Sequence, residues 1–296
     1  MKRESIQLES MLPAIQSQDV VYSYPGTSVH ALRQLNIAIP TGKKTAICGH
    51  NGSGKSTLFL QAIGIHRPDE GTMLRRGEPL SYDRHSLKTL RQQVGLVFQD
   101  PEQQLILTTP REDISYGLRN AGVPEQQLQE RTAQMLMTMG LEELADTPIH
   151  HLSLGQKKRV ALAGVLVLEP EVVLLDEPTA YLDRRSEQQL IRELDRIHGQ
   201  GITVVMATHD MNLAYAWADW ILVMDRGQCV KEGTPYEVFN DEGQLQAMGL
   251  EMPIVLDIWN SLPERLRRDC TPPRDVNALK QWLQETDELA IHHHGV

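Results

Sequence analysis

Gly49-His50-Asn51-Gly52-Ser53-Gly54-Lys55-Ser56-Thr57 decides the fold of this chain. The stretch fits the pattern G-x-x-x-x-G-K-[ST] and stands between a strand candidate, Lys44-Thr45-Ala46-Ile47-Cys48, and a helix that begins at Lys55. Strand, glycine-rich loop and helix in that order form a phosphate cradle. The glycines let the backbone curl so that successive N–H groups point inward at phosphate oxygens, and the helix adds the positive end of its dipole. Lys55 then places a point charge on the β- and γ-phosphates, and Ser56 offers its hydroxyl to Mg²⁺. The whole loop from Gly49 to Thr57 is the expected nucleotide site. His50 and Asn51 fill its free positions, and His50 is expected to carry no role of its own.

Downstream, Val172-Val173-Leu174-Leu175-Asp176-Glu177-Pro178 reads as a buried strand ending in two carboxylates. Asp176, at the strand end, can hold Mg²⁺ through water. Glu177, one residue further on, can polarise a water attacking the γ-phosphate. A strand ending in Asp-Glu is weak evidence alone, because solvated turn carboxylates are common. Together with the phosphate loop it defines a nucleoside triphosphatase of the phosphate-loop class, without saying which.

Outward from these two elements the chain alternates strands and helices. Asp19 to Ile39 alternates with a turn at Pro25-Gly26, which predicts antiparallel strands. A short helix over 86–93 leads into a strand at Val94-Gly95-Leu96-Val97-Phe98. The stretch 102–168 is rich in Gln, Glu and Leu and predicts helices only. Arg185–His198 is a helix with Leu190, Ile191, Leu194 and Ile197 on one face, and Ile202–Ala207 is the next strand. The expected fold class is α/β: a parallel core with an N-terminal antiparallel β subdomain and an inserted helical subdomain. The expected organisation is a flexible arm over 1–16, a main domain over 17–240 with its helical subdomain at about 102–168, and a small C-terminal extension over 241–296. In that extension Val276, Leu279, Leu283 and Ala290 mark a last amphipathic helix.

Leu152-Ser153-Leu154-Gly155-Gln156-Lys157-Lys158-Arg159 resembles the signature of ATP-binding cassette (ABC) transporter ATPases, usually Leu-Ser-Gly-Gly-Gln, and departs from it at Leu154. The resemblance covers roughly Asp19 to Phe239. It implies a dimer in which Ser153, Gly155, Gln156 and the helix dipole grip the γ-phosphate of ATP bound to the other copy. Other parts follow in family order. Gln99 resembles the Q-loop glutamine, which touches Mg²⁺ and relays to the membrane subunit. Tyr181-Leu182-Asp183 resembles the D-loop, with Asp183 contacting the ATP of the other copy and Tyr181 where a small residue is usual. His209 resembles the switch histidine that contacts the γ-phosphate. Tyr24 resembles the aromatic that stacks on adenine, with Tyr22 as its rival. The resemblance thus implies Glu177, His209 and Gln99 as catalytic residues, Ser56, Gln99 and Asp176 around Mg²⁺, and ATP as the substrate.

Leu90 to Leu105, and above all Asp100-Pro101-Glu102-Gln103-Gln104 after the Q-loop, resembles the energy-coupling-factor branch. Gln156 to Leu166 is similar to its cobalt (Cbi-type) and nickel members. That branch implies a transmembrane coupling subunit, which would dock around Gln103–Arg119, a separate substrate-capture membrane protein, and a second ATPase copy, most simply as a homodimer, with dimer contacts in the C-terminal extension over 241–296. It places the chain peripherally on the cytoplasmic face of the membrane and implies uptake of a divalent metal, cobalt or nickel. A vitamin as cargo, or a soluble non-transport ABC ATPase, remains as the alternative.

Composition agrees with this reading. Among 296 residues the formal net charge is −10, which argues against nucleic acid as the partner. No run approaches the roughly 18–20 apolar residues that span a bilayer, and the N-terminus lacks the apolar core of a signal peptide. Cys48, Cys229 and Cys270 show no metal or redox spacing and are expected to be buried free thiols of a reducing compartment. His292-His293-His294 is a transition-metal ligand pattern, and equally a terminal tract or a tag remnant.

Overall fold

The structure, a computed structural model, describes residues 12–268 and 270–293, with side chains described through residue 285. Ten strands form two sheets among these residues. The first is antiparallel, of order β2-β1-β4-β5, and is built from β1 (Ile15–Ser23), β2 (His30–Ile39), β4 (Glu70–Arg75) and β5 (Glu78–Pro79). The expected turn between β1 and β2 is present: Gly26 takes φ +82° and Thr27 N–H donates to the Tyr24 carbonyl at 3.1 Å. β1 begins at Ile15, inside the stretch expected as an arm, and Ala14 before it is buried; residues 1–11 of that stretch lie outside the described residues.

The second sheet has the order β10-β9-β3-β8-β7-β6, from β3 (Lys44–Cys48), β6 (Val94–Val97), β7 (Val172–Asp176), β8 (Thr203–Thr208), β9 (Trp220–Asp225) and β10 (Gln228–Gly233). All neighbours are parallel except the β9–β10 hairpin. Its central strands are buried on both faces and split the core by alternation. Ala46, Cys48, Val173, Leu175, Val204 and Met206 point to one cluster, while Ile47, Val172, Leu174, Val205 and Ala207 point to the other.

The first cluster continues into the helical region, where α3 (Pro110–Ala121), α4 (Glu125–Thr138) and α5 (Leu154–Leu166) contribute Ile114, Leu118, Leu128, Leu136 and Leu162. Thr109 starts α3 with a reciprocal cap involving Glu112, and Gly122 ends it at φ +87°. This region also contains the short 3-10 turns Pro101–Gln103, Glu142–Leu144 and Ile149–His151. The remaining helices of the main domain are α1 (Lys55–Ala62), α2 (Arg84–Gln93), α6 (Arg184–Gly199), α7 (Met211–Trp217) and α8 (Pro235–Phe239).

Beyond residue 240 come α9 (Glu242–Ala247), α10 (Ile254–Ser261), α11 (Glu264–Arg267) and α12 (Val276–His293). These do not form a separate core. Leu245, Leu250, Leu256, Trp259 and Leu279 belong to the same cluster as the parallel sheet, and Trp259 meets Trp282 edge to face at 4.7 Å. Arg274 ties the start of α12 to the Tyr215 carbonyl at 2.7 Å and to that of Ala218. His292 and His293 end α12, but their side chains and all of His294 lie outside the described residues. No helix among the described residues is long and apolar enough to cross a membrane. The cysteines correct the expectation in part. Cys48 is buried and its thiol is pushed up to about 12 by desolvation, Cys229 is half-buried and rises to about 11 for the same reason, and Cys270 is exposed.

Candidate functional site

Parallel strands bring their C-terminal ends to one edge of a sheet, and ligands of open α/β sheets bind there. Here Cys48 pairs with Thr208, Asp176 with Ala207, and Val97 with Leu175. The loops carrying Gly49, Gln99, Glu177 and His209 therefore leave the sheet side by side.

The phosphate loop is wound tightly. Gly49 takes φ +149°, and a Cβ there would meet the Met224 carbonyl oxygen at 2.2 Å. Gly54 precedes α1 in the left-handed region at φ +106°. The Lys55 side chain folds back across the loop and donates to the carbonyls of Gly49 at 2.7 Å and His50 at 3.0 Å. The β9–β10 turn backs the loop from behind. Gly227 N–H donates to the Ser53 carbonyl at 2.9 Å, and the Gly227 carbonyl accepts from Arg33 N–H at 2.9 Å. A Cβ on Gly227 would stand 2.6 Å from the Ala31 carbonyl oxygen. Sequence reasoning missed this support, because β9 and β10 carry no element in that reading. The apolar run Trp220–Met224 was the available signal.

The two carboxylates lie where the strand end puts them. Asp176 is 8% exposed and Glu177 5%. Glu177 leaves β7 with φ +45°, held by its N–H on the Ala207 carbonyl at 3.0 Å. One carboxylate oxygen, Oε2, lies 2.8 Å from His209 Nδ1. The other, Oε1, lies 3.9 Å from Lys55 Nζ and is buried without a hydrogen bond. His209 stands between the end of β8 and the cap of α7, where Asp210 accepts from the N–H groups of Asn212 and Leu213 at 2.9 and 3.1 Å.

Burial penalises both signs of charge here. It raises the Asp176 carboxyl above its ordinary range, against the opposing Ser56 hydrogen bond and Lys55 charge. It lowers the Lys55 ammonium, against the pull of Glu177 and Asp176. A cation beside Asp176 and Ser56 and an anion beside Lys55 would each relieve that penalty. Ser53 Oγ, also buried without a partner, adds a further donor toward such an anion. The oxygen donors suit Mg²⁺ and the loop suits a polyphosphate.

Tyr22 and Tyr24 separate clearly. Tyr22 is buried and stacks on His66 at 4.9 Å. Tyr24 is 39% exposed, and its hydroxyl meets Thr57 Oγ1 at 3.0 Å, over the start of α1. His50, expected to have no role, makes one structural contact: its Nε2 lies 3.2 Å from the Met248 carbonyl, joining the phosphate loop to the C-terminal helices. Asn51 and Gly52 are exposed at the loop's outer turn.

Gln99 is exposed at the edge of the site. The Asp100-Pro101-Glu102-Gln103-Gln104 run that follows it has a physical explanation. Asp100 caps the 3-10 turn through Glu102 N–H at 3.0 Å, and Pro101 is buried. Gln104 accepts from Phe98 N–H at 3.1 Å and donates to the Ala161 carbonyl at 3.3 Å, so it pins the segment to α5. Glu102 meets Lys157 of α5 at 2.6 Å.

Ser153, Gly155, Gln156 and Asp183 line a different cleft, of about 350 Å³, together with Arg185 and Ser186. Ser153 and Gln156 form a reciprocal cap on α5: Gln156 N–H donates to Ser153 Oγ at 3.3 Å, and Ser153 N–H donates to Gln156 Oε1 at 2.7 Å. Leu154, the first helical residue, leaves that cap intact. Asp183 caps α6 through Arg185 and Ser186 N–H, both at 2.9 Å, and its carboxyl is held below the ordinary range by these bonds. Within one chain no hydrogen bond or ion pair found among the described residues joins Ser153, Gly155 or Gln156 to the phosphate loop. The structure thus brings together Lys55, Ser56, Asp176, Glu177 and His209, and leaves the signature residues apart from them.

Comparison with known proteins agrees with this geometry. The ABC transporter family profile matches residues 32–180. The energy-coupling factor transporter ATP-binding protein EcfA2 of Methanospirillum hungatei is 41% identical, over 96% of this chain and 70% of its own length. Among solved structures, CbiO1 of Clostridium perfringens, described as part of the ABC transporter complex cbiONQ, aligns with TM-score 0.71 at 38% identity, over 84% of this chain and 99% of that one. The dimeric ATP-binding cassette MJ0796, in a post-hydrolysis state with ADP and Pi, aligns with TM-score 0.67 at 28% identity, over 75% of this chain and 98% of that one. Together the cradle, the strand-end carboxylates and these likenesses place the chain in the ABC transporter ATP-binding family, as an ATP-hydrolysing subunit of the energy-coupling-factor type.

Proposed function

We propose that this chain works as a pair of copies that close on two ATP molecules and thereby drive uptake of a divalent metal, cobalt before nickel, through membrane subunits. The observation that carries the chemistry is the contact of buried Glu177 with His209 and Lys55 at the lip of the phosphate loop. Lys55 and the loop N–H groups bind the β- and γ-phosphates, and Ser56, Asp176 and Gln99 would hold Mg²⁺. When bound, Mg²⁺ neutralises phosphate charge. Glu177 takes the proton of the attacking water while His209 orients the carboxylate through its Nδ1 contact and reaches the γ-phosphate. Ser153, Gly155, Gln156 and Asp183 line a separate cleft and serve the ATP of the second copy. The dimeric form of the MJ0796 cassette supports this pairing.

The cargo reading rests on the resemblance of Gln156 to Leu166 to cobalt and nickel members of the branch. Among the described residues there is no group of three or more His, Cys, Asp or Glu that could hold a metal ion. Radiolabelled Co²⁺ uptake in cells with and without this subunit tests the reading. Uptake is expected to require the subunit and to be lost in Glu177→Gln. Unchanged Co²⁺ uptake with lost uptake of a vitamin would overturn the cargo and keep the motor.

Adenine is assigned to Tyr24. Tyr24→Ala should weaken ATP binding by about tenfold, since a stacked base is worth ~1–3 kcal/mol, and should leave Tm nearly unchanged. Tyr22→Ala should do the reverse, lowering Tm through loss of a buried ring worth ~3–5 kcal/mol. Nucleotide titration and thermal melts of both variants decide the assignment.

A further inference from the structure

One turn beyond its cap, α5 buries a lysine. Lys158 is 3% exposed. Its Nζ donates to the carbonyls of Glu177 at 3.3 Å, Pro178 at 2.8 Å and Ala180 at 2.9 Å. An ammonium has three N–H donors, so a single loop takes them all. No carboxylate forms an ion pair with it among the described residues. Burying a cation on carbonyl dipoles alone is costly, and an apolar side chain of similar length would fill the space without that cost. What the charge supplies is loop shape. The segment 177–181 begins and ends in the left-handed region, with Glu177 at φ +45° and Tyr181 at φ +62°, conformations unfavourable to side chains of this size. The ammonium gathers the carbonyls between them. Lys157 turns the other way, to Glu102, so adjacent lysines tie the start of α5 both to the segment after Gln99 and to the loop of Glu177.

We propose that Lys158 is a positioning residue: its ammonium fastens the strained loop carrying Glu177 to the helix capped by Ser153, so that the seating of Ser153 and Gly155 on nucleotide sets where Glu177 holds its water. Lys158 gives its donors to the carbonyls of this loop and acts through Glu177, so the proposal rests on Glu177 being the group that polarises the water. The geometry has a titratable consequence. Burial pushes the Lys158 ammonium down to about 8, against the favourable charges of Glu177 and Asp100. Asp183, the cap of α6, and Arg185 within that helix share its cleft, and its helix neighbours are occupied elsewhere, Lys157 on Glu102 and Arg159 on the Met139 and Gly140 carbonyls. Above that pH the neutral amine has one donor fewer and turns a lone pair toward a carbonyl.

The test compares the native protein, Lys158→Met and Lys158→Arg, with Glu177→Gln alongside, by steady-state ATPase assays and by equilibrium titration of a fluorescent ATP analogue. In Lys158→Met, kcat should fall on the order of 10²-fold, the scale of misplacing a reacting group by about 1 Å, with nucleotide affinity unchanged. In the native protein kcat should decline on the alkaline side with a midpoint of about 8. Lys158→Arg, which stays charged, should recover part of kcat and lose that decline. If Lys158→Met does not fold, Lys158→Arg and the native pH profile still decide. Native kcat in Lys158→Met, or an unchanged alkaline decline in Lys158→Arg, overturns the proposal. Should Glu177→Gln be inactive while Lys158→Met is normal, only the role of Lys158 falls; should Glu177→Gln keep native turnover, the Glu177 reading falls and this one with it.

Discussion

Glu177→Gln is expected to bind ATP more tightly than the native protein and to turn it over on the order of 10³-fold more slowly, the loss typical of removing a positioned general base. The two effects have one cause. Glutamine has the same shape and keeps a hydrogen bond to His209, so the loop and its contact of 2.8 Å survive. It removes a buried negative charge beside Lys55, exactly the charge that a γ-phosphate must otherwise face. Like charges at this range repel appreciably in a partly buried site, so binding improves as the proton acceptor is lost. With ATP and Mg²⁺ present the variant should accumulate as a dimer, because closure persists when hydrolysis cannot reset it. Light scattering after gel filtration measures the dimer, and a phosphate-release assay measures turnover. A variant that stays monomeric with ATP and hydrolyses within about threefold of the native rate would remove Glu177 from the role of base.

The parts of the site legible in the sequence are those fixed by local chain geometry. Glycines at Gly49 and Gly54, a strand ending in Asp176-Glu177 and a strand ending before His209 place their groups wherever the strands align, and the parallel register aligns them. What escaped depends on tertiary neighbours. Tyr22 and Tyr24 share a parity, and only the end of β1 at Ser23 frees Tyr24 from the sheet. β4, between β1 and β5, and β10, at the edge of its sheet, have few buried positions, and their identity comes from register with distant partners rather than from periodicity. Gln104 and Lys158 belong to stretches whose family likeness was visible, but their physical work was not. A glutamine bridging Phe98 to Ala161, or a lysine on three carbonyls, exists only once α5 lies against the two loops. The packing of the C-terminal helices was not legible either: Leu256 and Trp259 belong to the cluster that lines the parallel sheet.

Lys55→Met should weaken ATP binding on the order of 10²-fold or more. Charge-assisted hydrogen bonds contribute about 1.5–3 kcal/mol each, and an ammonium that exchanges the Gly49 and His50 carbonyls for phosphate oxygens makes more than one. Methionine matches the length of the stem, so packing beside Cys48 changes little. The electrostatics change more. Without Lys55, the Asp176 carboxyl loses the charge that opposes its upward shift. A carboxyl raised in the folded state contributes stability that is present below its unfolded value and is lost as pH rises through its folded value. The variant should therefore be less stable than the native protein near neutral pH, and the deficit should narrow as the pH is lowered toward the raised Asp176 value. Thermal melts across that range, paired with ATP titration at neutral pH, measure both effects. Native ATP affinity in Lys55→Met would show that the loop N–H groups alone hold the phosphates. A stability deficit independent of pH would show that Lys55 does not compensate the buried acids.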